Sequence, residues 1–201
     1  MPAWFRQTLY ALMLLTCGLV GMRVYLEVTP PLPDIPGTGT VSQSKLPDVL
    51  PEFTLNDSFG EPRSISEWTD KPLLINFWAT WCAPCRREMP LLQALHTSQD
   101  ELQVLGIAID RIPDVQTYLA ESGISYPSLV GEEDAMAVSE LFGIDSLGLP
   151  FTVLVSSKGN IVTVFIGEIE LGELEELAAT SRELEAGQID LATARGRLEE
   201  L

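Results

Sequence analysis

The chain has 201 residues, 46% of them apolar, and a formal net charge of −17. That length and apolar content give one domain with a real core plus appendages, and they exclude general disorder. The acidity excludes nucleic acid as a partner and argues against docking on anionic lipid, since both need basic surface.

Residues 1–27 are read as a membrane anchor or signal segment. The run Leu9–Met22 is uncharged, Arg6 precedes it, and Trp4, Phe5 and Tyr25 flank it, as interfacial aromatics do. Counted from Thr8 to Leu26, with Arg23 snorkelling outward, the stretch is long enough to span a bilayer. An uncleaved single-pass anchor in the inner membrane is the preferred reading. A cleaved signal would want small residues where Thr16-Cys17-Gly18 stands, and a lipoprotein site would not be followed by more apolar residues. All three readings place the remainder outside the cytoplasm, in the periplasm or its equivalent. Residues 28–45 hold Pro30, Pro31, Pro33, Pro36, Gly37 and Gly39, a semi-extended spacer.

The folded domain is expected over residues 46–186. Phe53-Thr54-Leu55 and Pro62-Arg63-Ser64 flank a turn-rich segment and predict a short hairpin. Leu73–Trp78 is a continuous apolar run, hence a buried strand, and a helix follows from Ala83 to Gln99 with Pro90 inside it. Val104–Ile109 predicts a second buried strand, 115–121 a helix, Ser128–Val130 a short strand and 134–142 a helix closed by Gly143. Thr152–Val155 and Ile161–Ile166 form a hairpin around Ser157-Lys158-Gly159-Asn160. A helix spans Leu171–Ala186. Past Gly187, Asp190 caps a short acidic extension, residues 187–201, with Leu191, Ala194, Leu198 and Leu201 on one stripe. Strands alternating with helices and ending in a hairpin give an α/β fold, a mixed β-sheet flanked by helices.

Cysteine usage singles out one place. Cys17 lies in the N-terminal apolar segment, so the domain holds only Cys82 and Cys85, too few for a disulfide scaffold. Zinc would need two further ligands, and His96 is the only histidine, so no metal site is expected. Trp81-Cys82-Ala83-Pro84-Cys85 joins a buried strand to a helix. The helix N-terminus offers free N–H groups and a favourable dipole to a thiolate at Cys82. Pro84 suits the first turn. Cys85 falls one turn further on, so Cys82 is the expected attacking thiolate and Cys85 the resolving thiol.

The block Ile75-Asn76-Phe77-Trp78-Ala79-Thr80-Trp81-Cys82-Ala83-Pro84-Cys85-Arg86-Arg87-Glu88-Met89-Pro90 resembles the active-site block of membrane-anchored bacterial proteins of the TlpA/ResA type. The resemblance covers about residues 46–180. It implies a thioredoxin fold, an extracytoplasmic location and thiol–disulfide oxidoreductase activity through a redox-active Cys82–Cys85 disulfide, with no other cofactor. Gly148-Leu149-Pro150-Phe151-Thr152 resembles the family's cis-proline loop, which implies that Leu149 and Pro150 face the cysteines and help hold an extended substrate. The family often has Thr or Glu where Phe151 stands. Trp81 is read as a shield over Cys82 that shapes the docking surface, and Trp78 as core. Asn76 takes the place of thioredoxin's buried acid, and the family carries a Glu at the place of Glu88. That residue is expected to modulate thiol pKa values or proton transfer. Arg86 and Arg87 are expected to face water.

The function expected from these residues is reduction of disulfides in exported proteins, clients of cytochrome c maturation or metal-centre assembly. Electrons would come from a membrane thiol reductase. Three alternatives remain. A net oxidant is disfavoured because Ala83-Pro84 supplies no histidine to stabilise the reduced form. A metal chaperone on this fold would need a different cysteine spacing and a distant histidine. A holdase or assembly factor would not need its cysteines. A peroxidase reading fails for want of its cysteine motif.

Overall fold

The computed structural model describes residues 47–144, 148–199 and 201. The expected anchor (1–27) and spacer (28–45) lie outside the described residues. No helix among the described residues is long and apolar enough to cross a membrane.

The two longest apolar runs make the centre of the sheet. Leu73–Trp78 (β3) and Gln103–Ile109 (β4) pair in parallel, with Asn76 opposite Gly106 and Trp78 opposite Ala108. Their side chains are buried almost throughout, as strands covered on both faces require. Ser128–Gly131 (β5) extends the parallel set beside β4. Phe151–Val155 (β6) runs antiparallel along the other flank of β3 and turns back into Ile161–Ile166 (β7). The expected hairpin forms from Thr54–Asp57 (β1) and Pro62–Ser64 (β2), and β1 joins the sheet antiparallel to β5. The sheet order is β2-β1-β5-β4-β3-β6-β7.

Among the described residues, five helices and a short 3₁₀ turn cover this sheet: Ala83–Ser98 (α1), Ile112–Ser122 (α2), Glu133–Leu141 (α3), Leu171–Glu185 (α4) and Leu191–Leu198 (α5), with the turn at Ile65–Trp68. One core holds Leu74, Trp78, Val104 and Ala108 from the sheet against α1, α2, α4 and α5. The other holds Ile75, Phe77, Leu105 and Ile107 against the 3₁₀ turn and α3. This segregation follows from strand alternation, since even and odd positions of β3 and β4 point to opposite faces.

Two local features depart from the sequence expectation. α2 starts at Ile112 rather than near Val115, because Pro113 fits a first helical turn, where its missing N–H is no loss. The 3₁₀ turn has no apolar period to announce it; Ser64 and Glu67 close a capping box around its start. At the other end of the chain Gly187 takes a left-handed φ of 68° and stops α4. Asp190 then caps α5, its side chain accepting the Thr193 N–H at 2.8 Å. Ala194 and Leu198 are buried in the first core, while Leu201 stays exposed. The Arg195 guanidinium donates to the Ile161 carbonyl at 2.7 and 3.0 Å, which fastens α5 to the start of edge strand β7.

Candidate active site

β3 ends at Trp78, and the chain leaves the sheet through Ala79, Thr80 and Trp81. Asp110, just past β4, holds this exit: its carboxylate accepts the Thr80 N–H at 3.0 Å and the Thr80 hydroxyl at 2.5 Å. Cys82 then occupies the N-cap of α1, with Pro84 in the first turn as expected. Its Sγ accepts the Cys85 N–H at 3.2 Å, the kind of contact that favours a thiolate at a helix start. A disulfide joins Cys82 and Cys85, whose Cα atoms are 5.3 Å apart. Cys82 keeps 5% of its surface exposed and Cys85 none, so the first cysteine is the accessible one. Trp81 beside them is 58% exposed.

β6 begins at the end of the sheet where β3 finishes, since Phe151 lies opposite Phe77. Leu149 and Pro150 therefore arrive at the same end as the cysteines, and the bond between them is cis, as the resemblance implied. The Gly167 N–H donates to the Pro150 carbonyl at 2.9 Å and ties this loop to the end of β7. Phe151, which departs from the family's usual residue, stacks on Phe77 at 4.1 Å in the opposite core. That position serves packing on the face away from α1.

One turn past Cys85, Glu88 is 1% exposed. Its Oε1 accepts from Asn76 Nδ2 and its Oε2 from the Ile169 N–H, both at 2.7 Å. Asn76 Nδ2 also donates to Thr152 Oγ1 at 3.1 Å. The carboxyl is thus pinned between α1, β3, β6 and the segment before α4. Burial pushes its pKa up from 4.5 to about 7; the two N–H donors pull the other way, and the nearby Glu168 carboxylate adds to the rise. Next to it, Arg87 lies outside and pairs with Glu168 on the surface. Adjacent residues of α1 therefore grip adjacent residues of the β7–α4 loop, one pair outside and one inside.

The structure gathers Cys82, Cys85, Trp81, Leu149 and Pro150 at one end of the sheet and buries Glu88 one turn further along α1. Trp78 is fully buried core, as read from the sequence, and Arg87 faces water in an ion pair. His96 packs edge-on against Tyr126 at 6.3 Å. Among the described residues no group of His, Cys, Asp and Glu could hold a metal ion. Two members of the network around Glu88 escaped the sequence reading: Thr152, which accepts from Asn76, and Ile169, which donates to Glu88 itself. Thr152 left one clue, a hydroxyl inside an otherwise apolar strand. Ile169 left none, because it contributes its backbone.

Comparison with known proteins agrees with this geometry. Residues 46–164 match the AhpC/TSA family. The thiol–disulfide oxidoreductase ResA of Halalkalibacterium halodurans is 34% identical over 127 residues, covering 62% of this chain and 70% of that protein. The thioredoxin-like protein YneN of Bacillus subtilis is 29% identical over 131 residues, 63% of this chain and 74% of that protein. Among solved structures, a secreted thiol–disulfide isomerase from Corynebacterium glutamicum superposes with a TM-score of 0.58 at 25% identity, covering 64% of this chain and 82% of that one. Such relatives imply protein disulfides or dithiols as the substrates. With its sheet, its cysteine pair and these matches in agreement, the chain belongs to the AhpC/TSA family and is a thiol–disulfide oxidoreductase of the TlpA/ResA type, built on the thioredoxin fold.

Proposed function

We propose that the protein is an extracytoplasmic reductant of disulfides in exported proteins, working through Cys82 and Cys85 with no cofactor besides their own disulfide. The observation that carries the thiol–disulfide chemistry of this reading is the N-cap geometry: Cys82 Sγ accepts an amide N–H at the helix start, while Cys85 is fully buried behind it. In the dithiol form, the Cys82 thiolate attacks one sulfur of a client disulfide. The client S–S bond breaks, a mixed disulfide forms and one client thiol leaves. Cys85 then gives up its proton and attacks Cys82 Sγ, releasing the second client thiol and closing the Cys82–Cys85 disulfide. The client gains two electrons and the protein loses two.

Glu88 takes the Cys85 proton in this scheme, a role supported by its place one turn away on α1 and by a pKa of about 7, which suits both giving and taking a proton near neutrality. Its negative charge when ionised also disfavours a thiolate nearby. That makes the reduced pair less stable and supports a reducing direction. Trp81, Leu149 and Pro150 form the surface on which the client strand lies. Residues 1–27 hold the domain at the inner membrane, and a membrane thiol reductase returns electrons to the disulfide. The secreted isomerase from Corynebacterium glutamicum supports the location, and the ResA relatives support the chemistry. Clients in cytochrome c maturation or metal-centre assembly fit this setting.

Cysteine variants test the assignment. Cys85→Ser, reduced and mixed with a disulfide-bonded client, accumulates a mixed disulfide through Cys82, read by mass spectrometry of the cross-linked peptide. Cys82→Ser gives no adduct. An adduct through position 85 in preference to 82 reverses the roles. A reduction potential near the strongly oxidising end of the thioredoxin-fold range makes the protein an oxidant.

A further inference from the structure

Among the described residues, five buried side-chain atoms have no hydrogen-bond partner. Four of them belong to one polar patch beneath α1: Asn76 Oδ1, Trp78 Nε1, Tyr126 OH and Ser128 Oγ. The sheet register explains the grouping. Asn76, Gly106 and Ser128 occupy matched positions on β3, β4 and β5, so all three point to the same face. Trp78 lies two residues beyond Asn76 on that face, and Tyr126 two residues before Ser128. A polar row thus crosses a core that is otherwise mainly apolar.

Gly106 stands at the centre of the row. A Cβ there would lie 2.7 Å from Ser128 Oγ, 2.9 Å from Trp78 Nε1 and 3.3 Å from the Tyr126 ring. Polar atoms of Trp78 and Ser128, and the edge of the Tyr126 ring, lean over the one position that has no side chain. Leaving them dry would forfeit every hydrogen bond they make in the unfolded chain, and native cores avoid that. Their chemistry is complementary to water. The Trp78 indole N–H only donates, Asn76 Oδ1 only accepts, and the two hydroxyls do both. A buried water makes about three such bonds to otherwise unpaired polar groups.

We propose that this row is a binding site for ordered water, and that the bound water fixes the Asn76 amide with its nitrogen toward Glu88. The amide is the link. Its Nδ2 serves Glu88 and Thr152, and a half-turn of the amide would set its oxygen against the carboxyl instead. Water donating to Oδ1 holds the productive orientation, so Asn76 and its water act as positioning groups for Glu88. The ionisable groups facing Glu88 from neighbouring elements are Glu168 before α4 and Tyr126 before β5. Neither supplies the N–H that Asn76 does. Tyr126 and Ser128, whose hydroxyls are buried, also line a surface cleft of about 430 Å³ with Gln116 and Leu119 of α2 and Phe59 of the β1–β2 turn, so only a short depth of protein separates the row from solvent.

The hydration site is testable without any activity. In the full-length protein, labelled with ¹⁵N at tryptophan, the Trp78 indole proton is expected to cross-relax with a long-lived water. Ser128→Ala weakens or abolishes that signal. Tyr126→Phe, which removes one hydroxyl and leaves the ring in place, does the same with less risk to folding. In both variants the Glu88 titration, followed by its carboxyl ¹³C shift, moves upward, because a loosened amide stabilises the carboxylate less. A parent Trp78 indole with no water contact overturns the site. Variants that keep the water signal overturn the roles of the two hydroxyls, and variants that lose it without moving the titration overturn the link to Glu88.

Discussion

At the scale of single residues, Glu88 concentrates the chemistry. Folding raises its pKa from 4.5 to about 7, so the folded state holds a proton that the unfolded chain releases between those values. Its contribution to stability is complete below pH 4.5 and is lost as pH rises through about 7, a difference of about 3 kcal/mol at most. Glu88→Gln is expected to flatten the dependence of the urea midpoint on pH between 4.5 and 8, where the parent declines. The same variant should slow reduction of a small disulfide by roughly 10²-fold and erase an inflection near pH 7 in stopped-flow rates. A parent-like rate and profile would remove Glu88 from the mechanism. Cys82, Cys85 and Glu88 were legible because their relation is local, one helical turn per step. The grip on Glu88 was not. Asn76 is 12 residues away, and only the placing of α1 over β3 brings it within 2.7 Å. An asparagine inside Leu73–Trp78 was a visible oddity, but its partner was not.

At the scale of elements, the C-terminal helix gives the clearest test. Leu198 and Ala194 are buried in the core that also holds Cys85, Met89 and Trp78. Leu198→Ala is expected to cost about 2–3 kcal/mol, read from urea unfolding, with the thiol exchange rate little changed. A loss below about 0.5 kcal/mol would mean that α5 merely rests on the domain. Strands β3 and β4 and helices α1 and α4 were readable to within a few residues, since long apolar runs and capping residues mark them locally. The stripe on α5 was readable too, but a stripe tells which face is apolar and not which surface receives it. Here the receiving surface is β7 and α4. The 3₁₀ turn at Ile65–Trp68 went unread because four residues carry no period.

At the scale of the whole molecule, the net charge of −17 sets the approach of partners. Reduction of a basic disulfide substrate should slow by severalfold from low salt to about 0.5 M, and that of an acidic one should quicken, as second-order rates will show. Identical salt responses for the two substrates would mean that charge does not steer docking. The alternation of strands and helices made the mixed sheet readable, but not its order. Which strand takes β1 as neighbour depends on pairings across more than 70 residues, Asn56 with Val130 and Asp57 with Leu129. The other border of the sheet carries a last consequence. β7 is an edge strand, and Arg195 reaches back to occupy its first carbonyl while Asp48 accepts the Ile161 N–H. A chain cut after Gly187 would keep every residue of the cysteine site and yet bare that border. Its expected fate is self-association through strand pairing, read as a larger species by size-exclusion chromatography; a truncated chain that elutes as the parent does would deny the last helix this protective part.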